Sequence, residues 1–398
     1  MSKATIDDID VAGRRVLLRV DFNVPLDNGH IGDDRRIRAA LPTIRTLRKR
    51  GARTILVTHV GRPKGKVDAR LSVAPVAQRL GELLGVPVPV AADVVGPSAQ
   101  ALVGTLGDGD LGMLENVRFE PGEERNDPEL ASRLASLADI FVNDAFGTAH
   151  RAHASTEGVA HILPAVAGYL MARELEVLGS VLDNPRRPVV AILGGAKIST
   201  KLGVLTNLMT RVDRLHIGGA MAWPFFRAKG AATGRSSVAE EEVTLARDLL
   251  DRMPDGRCTF NLPVDVVVAG EVRDGEPTEV VSWDAIPDAA MVVDVGPATV
   301  AAIAASVASA GTVIWNGPLG VYEIEEFAQG TRGVARAVAE SDAVSVIGGG
   351  DLASAVEDAG VTDKIDFIST GGGATLEFLE GRVLPGVSAL RDRVAVPG

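Results

Sequence analysis

Cysteine is all but missing from this chain. A single residue, Cys258, rules out an internal disulfide and any metal site built from several thiolates, and suits a reducing compartment. Aromatic side chains make up only 4% of the chain, so the core must be built from Val, Leu, Ile and Ala. No HExxH or CxxC pattern occurs, which argues against zinc chemistry, and no GxxxxGK[ST], HRD or DFG, which excludes P-loop and protein-kinase machinery. Asp7, Asp8 and Asp10 stand where an export signal needs an apolar run, so a cytoplasmic location is expected. Val295–Trp315 is uncharged and long enough to cross a bilayer. It opens Gly-Pro, is mostly Ala and Ser, and breaks at Gly311, so no membrane association is expected.

What is present is a large globular chain. Its 398 residues are 46% hydrophobic and 23% charged, and a single core rarely exceeds roughly 250–300 residues, so two domains are expected. The net charge of −11 is unevenly spread: residues 1–80 hold 17 Lys and Arg against 8 Asp, a net of +9, leaving −20 on the rest. Such a chain is a poor nucleic-acid binder, yet its basic third can focus a small anion into one cleft.

Leu163–Lys201 organises the chain. Met171, Leu175, Leu178 and Leu182 form one apolar helical stripe, and Asp183-Asn184-Pro185 ends it. The boundaries that follow are 1–168 with 384–398 as one domain, 169–187 as a hinge helix, and 188–383 as the other.

Apolar runs alternate with helix-like segments throughout. Strands are expected at Val16–Phe22, Thr54–Val60, Val86–Val90, Leu111–Asn116 and Ile140–Phe146. In the second half they are expected at Val189–Leu193, Leu215–Ile217, Val264–Ala269, Met291–Val295, Thr312–Trp315, Val344–Ile347 and Lys364–Ile368. This alternation predicts an α/β fold of two Rossmann-like three-layer αβα domains with mostly parallel sheets. Ligands then sit beyond the carboxyl ends of the strands.

Those ends carry unusual residues. In the first half Asp21 and Asn23 project to one face after the first strand, and Asp34-Arg35-Arg36-Ile37-Arg38 crowds cations at a helix start. Thr58-His59-Val60-Gly61-Arg62, Arg118 and Arg151 follow later strands. Together they predict an oxyanion site, since guanidiniums capture phosphate bidentately. In the second half glycine turns follow five strands: Gly194-Gly195, Gly218-Gly219, Asn316-Gly317-Pro318, Gly348–Gly350 and Gly371–Gly373. Such turns offer N–H groups to a polyphosphate. Lys197 and Lys201, four apart, are expected on one face of a helix start, and Asp351 is a candidate Mg²⁺ partner. Gly107–Gly112 also fits GxGxxG, but it precedes a strand and carries Asp108 and Asp110 where a pyrophosphate would sit.

With these motifs in view the chain resembles the phosphoglycerate kinase family nearly end to end. The resemblance rests on RVDFNVP (Arg19–Pro25), Arg36-Ile37-Arg38, THVGRP (Thr58–Pro63), LENVRF (Leu114–Phe119), DAFGTAHRAHAS (Asp144–Ser155), GGAKISTK (Gly194–Lys201), WNGPLGVYE (Trp315–Glu323), GGGD and STGGGA. It implies reversible, Mg²⁺-dependent phosphoryl transfer between 1,3-bisphosphoglycerate and ADP, giving 3-phosphoglycerate and ATP, on hinge closure. It further implies that Asp21 and Asn23 hold the glycerate hydroxyl and that the His59-Val60-Gly61-Arg62 turn, Arg118 and Arg151 hold the non-reacting phosphate. Arg36 faces the transferring group. Lys201 takes nucleotide phosphate oxygens, with Lys197 joining during transfer. Glu323 takes the ribose, and Gly350, Asp351, Leu352 and Ala353 the phosphates, with Asp351 on Mg²⁺; Gly372 and Gly373 offer amides to the transferring group. A monomer is expected.

Three positions depart from the family's pattern: Ala220 stands for a glycine, Ala298 for Lys or Ser, and Leu352 for Thr or Ser, so that a hydroxyl is missing where metal or phosphate is expected. Leu352→Thr is accordingly expected to leave activity equal or higher. A nicotinamide dehydrogenase is disfavoured by the misplaced GxGxxG, and a hinged binding protein would need neither paired lysines nor a metal carboxylate.

Overall fold

The computed structural model describes residues 2–27, 29–252 and 258–393. It divides into two compact units, Met1–Glu176 with Val383–Gly398, and Val177–Arg382. The division falls inside the helix Tyr169–Asp183. Of the tail assigned from sequence to the first domain, 394–398 lie outside the described residues.

The main sheet of unit 1 is built from β1 (Arg15–Arg19), β2 (Arg53–Val57), β3 (Leu111–Met113), β4 (Ile140–Asn143) and β5 (Ala165–Ala167). They pair in parallel in the order β3-β2-β1-β4-β5. Val16, Leu17 and Leu18 are all buried, as a parallel strand covered on both faces requires. The helix Arg35–Lys49 packs Ile37, Ala40, Leu41, Ile44 and Leu47 against the sheet. The start of Tyr169–Asp183 is fixed within this unit. Thr43 Oγ1 accepts the Tyr169 N–H at 2.9 Å and Asp144 Oδ1 the Met171 N–H at 3.1 Å. Burial pushes the Asp144 carboxyl up to about 6.

Unit 2 holds β6 (Val189–Leu193), β7 (Arg214–Ile217), β8 (Thr259–Asn261), β9 (Asp265–Ala269), β10 (Thr278–Ser282), β11 (Met291–Val295), β12 (Thr312–Asn316), β13 (Val344–Gly348) and β14 (Phe367–Ser369). Six of them form a parallel sheet in the order β8-β7-β6-β12-β13-β14, the doubly wound arrangement in which the order reverses between β6 and β12. Leu193 pairs with Asn316, Asn316 with Gly348 and Gly348 with Ser369, so the strand ends share one edge.

Three expectations fail here. Val264–Ala269 and Met291–Val295 do not join the parallel sheet. They and β10 form a separate antiparallel sheet, β10-β9-β11. The linker 270–277 is too short for a parallel crossover, which needs about a dozen residues or more, so β9 and β10 pair antiparallel. Val86–Val90 is not a strand and makes one bridge, Val90 to Met113, because Pro87 and Pro89 remove ladder donors.

Candidate functional site

In unit 1 the carboxyl ends of β1, β2 and β4 gather a cluster of cations. Of the three arginines at the helix start, Arg35 and Arg38 pair with Asp33 and Asp34, while Arg36 turns to the strand end. Its Nη1 donates to Asp21 Oδ2 and to the Asn23 carbonyl, both at 3.1 Å. Asn23 Oδ1 accepts the Gly61 N–H at 2.8 Å, and the Gly61 carbonyl accepts from Arg118 Nη1 at 2.9 Å. Val60 is buried, with its carbonyl held by Asn116 Nδ2 at 2.8 Å.

His59 is only 3% exposed. Burial first, then the charges of Arg19, Arg118, Arg151 and Arg36, hold its imidazole well below the usual histidine range, so it is neutral at pH 7. Arg118 is equally buried; its Nε lies 3.4 Å from Glu124 Oε1, and its Nη2 has no partner among the described residues. A buried, unpaired guanidinium nitrogen among like charges is costly unless an anion completes it. Arg151 Nε donates to His150 Nε2 at 3.1 Å. Arg62 stands apart: it is exposed and makes no hydrogen bond or ion pair with a described residue.

Sequence reasoning missed the layer beneath. Arg19, Glu123 and Ser155 are fully buried under the cluster, and Arg19 Nε donates to Ser155 Oγ at 2.9 Å across 136 positions of chain. Arg19 lies in a motif that could have flagged it, whereas no local signal marks Glu123.

In unit 2 the glycine turns line the edge at the β6/β12 reversal. Some of these glycines serve packing. A methyl on Gly194 would lie 2.0 Å from the Pro318 carbonyl oxygen, and one on Gly317 2.4 Å from that of Gly194. Gly350 and Gly372 are different, since nothing lies within 4 Å of where their Cβ would be. They begin the helix Gly350–Asp358 and cap the helix Gly373–Leu379, whose first amides have no intrahelical acceptor. Asp351, in the first turn of Gly350–Asp358, is exposed, as are Glu323 and Gly373; Ala353 is buried.

Lys201 reaches into this edge, with Nζ donating to the Gly194 carbonyl and, at 3.1 Å, to that of Asn316. Burial pulls its ammonium down to about 8, with the Asp351 charge opposing. Lys197 does not share its face, contrary to expectation. Glu242 carboxylate oxygens accept the N–H groups of Ile198 at 2.8 Å and Ser199 at 3.2 Å; a 3₁₀ turn, Ser199–Lys201, follows, and the α-helix starts only at Leu202. Lys197 therefore stays exposed while Lys201 turns inward.

Among the described residues no cluster of three or more His, Cys, Asp or Glu could cage a metal. One exposed carboxylate beside open backbone amides fits Mg²⁺, which keeps several waters and arrives with nucleotide phosphates.

A family model described as phosphoglycerate kinase matches residues 6–382. A phosphoglycerate kinase of Pelotomaculum thermopropionicum is 54% identical over 393 residues, spanning 99% of this chain and 100% of that protein. One of Moorella thermoacetica is likewise 54% identical over 393 residues with the same coverage. The chain belongs to the phosphoglycerate kinase family. The solved structure of phosphoglycerate kinase from Coxiella burnetii matches with a TM-score of 0.88 at 43% identity, covering 97% of this chain and 98% of that one. That from Pyrococcus horikoshii matches at 0.87 and 34% identity, with the same coverage.

Against the family's pattern, the three departures separate. Ala220 is exposed, and its φ is not positive, so it costs the backbone nothing. Ala298 is exposed at a helix start, where its N–H donates to Asp265 Oδ2 at 2.9 Å. Leu352 is 0% exposed and packs in the core with Trp315, Ile347 and Val356. Its side chain is enclosed by that core, so a hydroxyl there would enter it. Leu352→Thr is therefore expected to destabilise the fold by about 1–3 kcal/mol, instead of helping activity. Thermal unfolding tests this, and an unchanged Tm would contradict it.

Proposed function

We propose that unit 1 binds 3-phosphoglycerate or 1,3-bisphosphoglycerate, that unit 2 binds ADP or ATP with Mg²⁺, and that the chain moves the acyl phosphoryl group between them. The observation that carries this reading is the buried, unpaired Arg118 Nη2 beside neutral His59, amid Arg19, Arg36 and Arg151. Four guanidiniums at one strand edge, balanced in part by Asp21, Glu123 and Glu124, favour an anion of more than one charge.

In this reading His59, Arg62, Arg118 and Arg151 grip the non-reacting phosphate, with the Gly61 amide nearby, and Asp21 and Asn23 orient the glycerate. Arg36 faces the transferring group. On unit 2, Lys201 and the Gly350–Ala353 backbone hold the nucleotide phosphates, Glu323 the ribose, and Asp351 the Mg²⁺. Lys197, which is exposed, joins at transfer, with the Gly372 and Gly373 amides. Bound Mg²⁺ supplies charge neutralisation on the phosphate oxygens. The attacking oxygen, of ADP or of a carboxylate, is already ionised, so no general base is needed. Catalysis is positioning and fixed positive charge. Because the substrates lie on different units, transfer waits on their approach through Tyr169–Asp183, which also excludes water from the acyl phosphate.

The protein acts as a cytoplasmic monomer. The thiol of its one cysteine is pushed up to about 11, chiefly by burial and then by the Asp213 charge, so it is no ready nucleophile. A coupled assay for ATP-dependent phosphorylation of 3-phosphoglycerate tests the reading, and no turnover with Mg²⁺ present would sink it.

Lys201 gives a pH signature. Its ordinary value is 10.5 and its folded value about 8, so the ammonium is present below pH 8 and is lost as pH rises through it. Nucleotide binding favours the ammonium, so affinity for Mg-ADP is expected to fall above about pH 8, with proton uptake on binding there. Calorimetry in buffers of differing ionisation heat checks this; buffer-independent heats at pH 8.5 would count against it.

A further inference from the structure

The hydrogen bonds beneath the unit 1 cluster can run in only one direction. A guanidinium donates and never accepts. Arg19 is 1% exposed; its Nε donates to Ser155 Oγ at 2.9 Å, and its Nη1 donates to the Val20 carbonyl. The Ser155 hydroxyl must then donate onward, to Glu123 Oε1 at 2.6 Å, while Glu123 Oε2 accepts the Ser155 N–H at 3.0 Å. Arg19 Nη2 faces His59 Nδ1 at 3.2 Å. Nδ1 can only accept here, so the proton of the neutral ring sits on Nε2.

We propose that Arg19 is a positioning residue, which fixes His59 as the Nε2–H tautomer and so makes it a neutral donor to the phosphate of bound phosphoglycerate. The role given to the donor rests on the substrate reading above, whereas the tautomer does not. The physical need is plain. An imidazole free to exchange tautomers would turn an Nε2 lone pair toward phosphate oxygens for part of the time, which repels. The neighbouring arginines already supply the positive charge, so a fixed donor adds direction without a further buried cation.

The charged groups around His59 come from several elements. Arg19 and Asp21 lie at the end of β1, Arg36 on the helix Arg35–Lys49, and Arg118 and Arg151 on the loops after β3 and β4. Asp21, whose Oδ1 lies 4.0 Å from Nδ1, is the group among them that would favour a charged ring, and its other oxygen, Oδ2, is paired with Arg36. Glu123 offsets Arg19 from below.

The test is ¹⁵N NMR of histidine-labelled protein, with His59→Gln used to assign the His59 signals. The unliganded wild type is expected to show a single neutral Nε2–H tautomer at His59 that does not titrate between pH 5.5 and 8. An Nδ1–H ring, or a midpoint inside that range, would overturn the proposal. The paired variant Arg19→Met/Glu123→Gln removes both buried charges together. It is expected to give mixed tautomers and a KM for 3-phosphoglycerate raised about 10-fold, as for one lost hydrogen bond, with KM for ATP and kcat within about 3-fold. Pure Nε2–H in that variant would remove Arg19 from the role. Should it fail to fold, Ser155→Ala, which loosens Arg19 while leaving its charge, is expected to show partial mixing. If the tautomer is as stated but His59→Gln leaves KM unchanged, His59 is no ligand and the substrate reading fails instead.

Discussion

Arg36→Ala is expected to lower kcat by at least about 10²-fold, the scale of losing one transition-state donor, with KM for both substrates moving by no more than a few-fold. The structure makes this change specific. Arg36 is the guanidinium at its helix start that turns away from Asp33 and Asp34 and holds Asp21 and the Asn23 carbonyl. Truncation frees Asp21 to bring an unbalanced carboxylate toward the transferring phosphoryl group, adding repulsion to the lost donor. Steady-state kinetics decides it. Turnover near the wild-type rate would remove Arg36 from the chemistry and leave it as an anchor for Asp21.

Lys201→Met is expected to lower kcat/KM for ATP by about 10³-fold, and it carries a second readout of opposite sign. The ammonium is buried among carbonyl oxygens, with its value drawn down to about 8 by burial. Below pH 8 the folded state therefore carries a charge that favours water, and an apolar side chain of similar length relieves it. Thermal stability of the variant at pH 7 is expected to match or exceed that of the wild type. Activity lost with stability kept marks a functional lysine, while stability lost with activity kept would mark a structural one. Lys197, exposed, provides no such contrast.

Much of this architecture is legible in the sequence because parallel sheets force chemistry to one edge. Runs such as Val189–Leu193 must be covered on both faces, so the residues just past them gather at one edge. Asp21, Asn23, His59 and Arg118 come together that way, as do the glycine turns. What was illegible has physical causes. The strands Ala165–Ala167 and Thr259–Asn261 are too short and too plain in composition to stand out, and Thr278–Ser282 is largely exposed. Val264–Ala269 looks like any buried strand, and only the length of the linker after it reveals an antiparallel partner. Lys197 and Lys201 fit a helical face by spacing, but Glu242, more than forty positions away, ties down the intervening amides. Leu352 was read by its place in a motif, whereas its side chain answers to the core. The Arg19–Ser155–Glu123 layer joins residues distant in sequence, which no local pattern reports.

In the proposed function the arginine cradle of unit 1 is completed by the phosphate of a phosphoglycerate, independently of the nucleotide. Calorimetric titration of 3-phosphoglycerate and of Mg-ADP into the wild type and into Arg118→Met tests it directly. The variant is expected to bind 3-phosphoglycerate at least about 10-fold more weakly, as for a lost charge-assisted hydrogen bond, and Mg-ADP as the wild type does. Unchanged 3-phosphoglycerate affinity, or an equal loss for both ligands, would contradict the account.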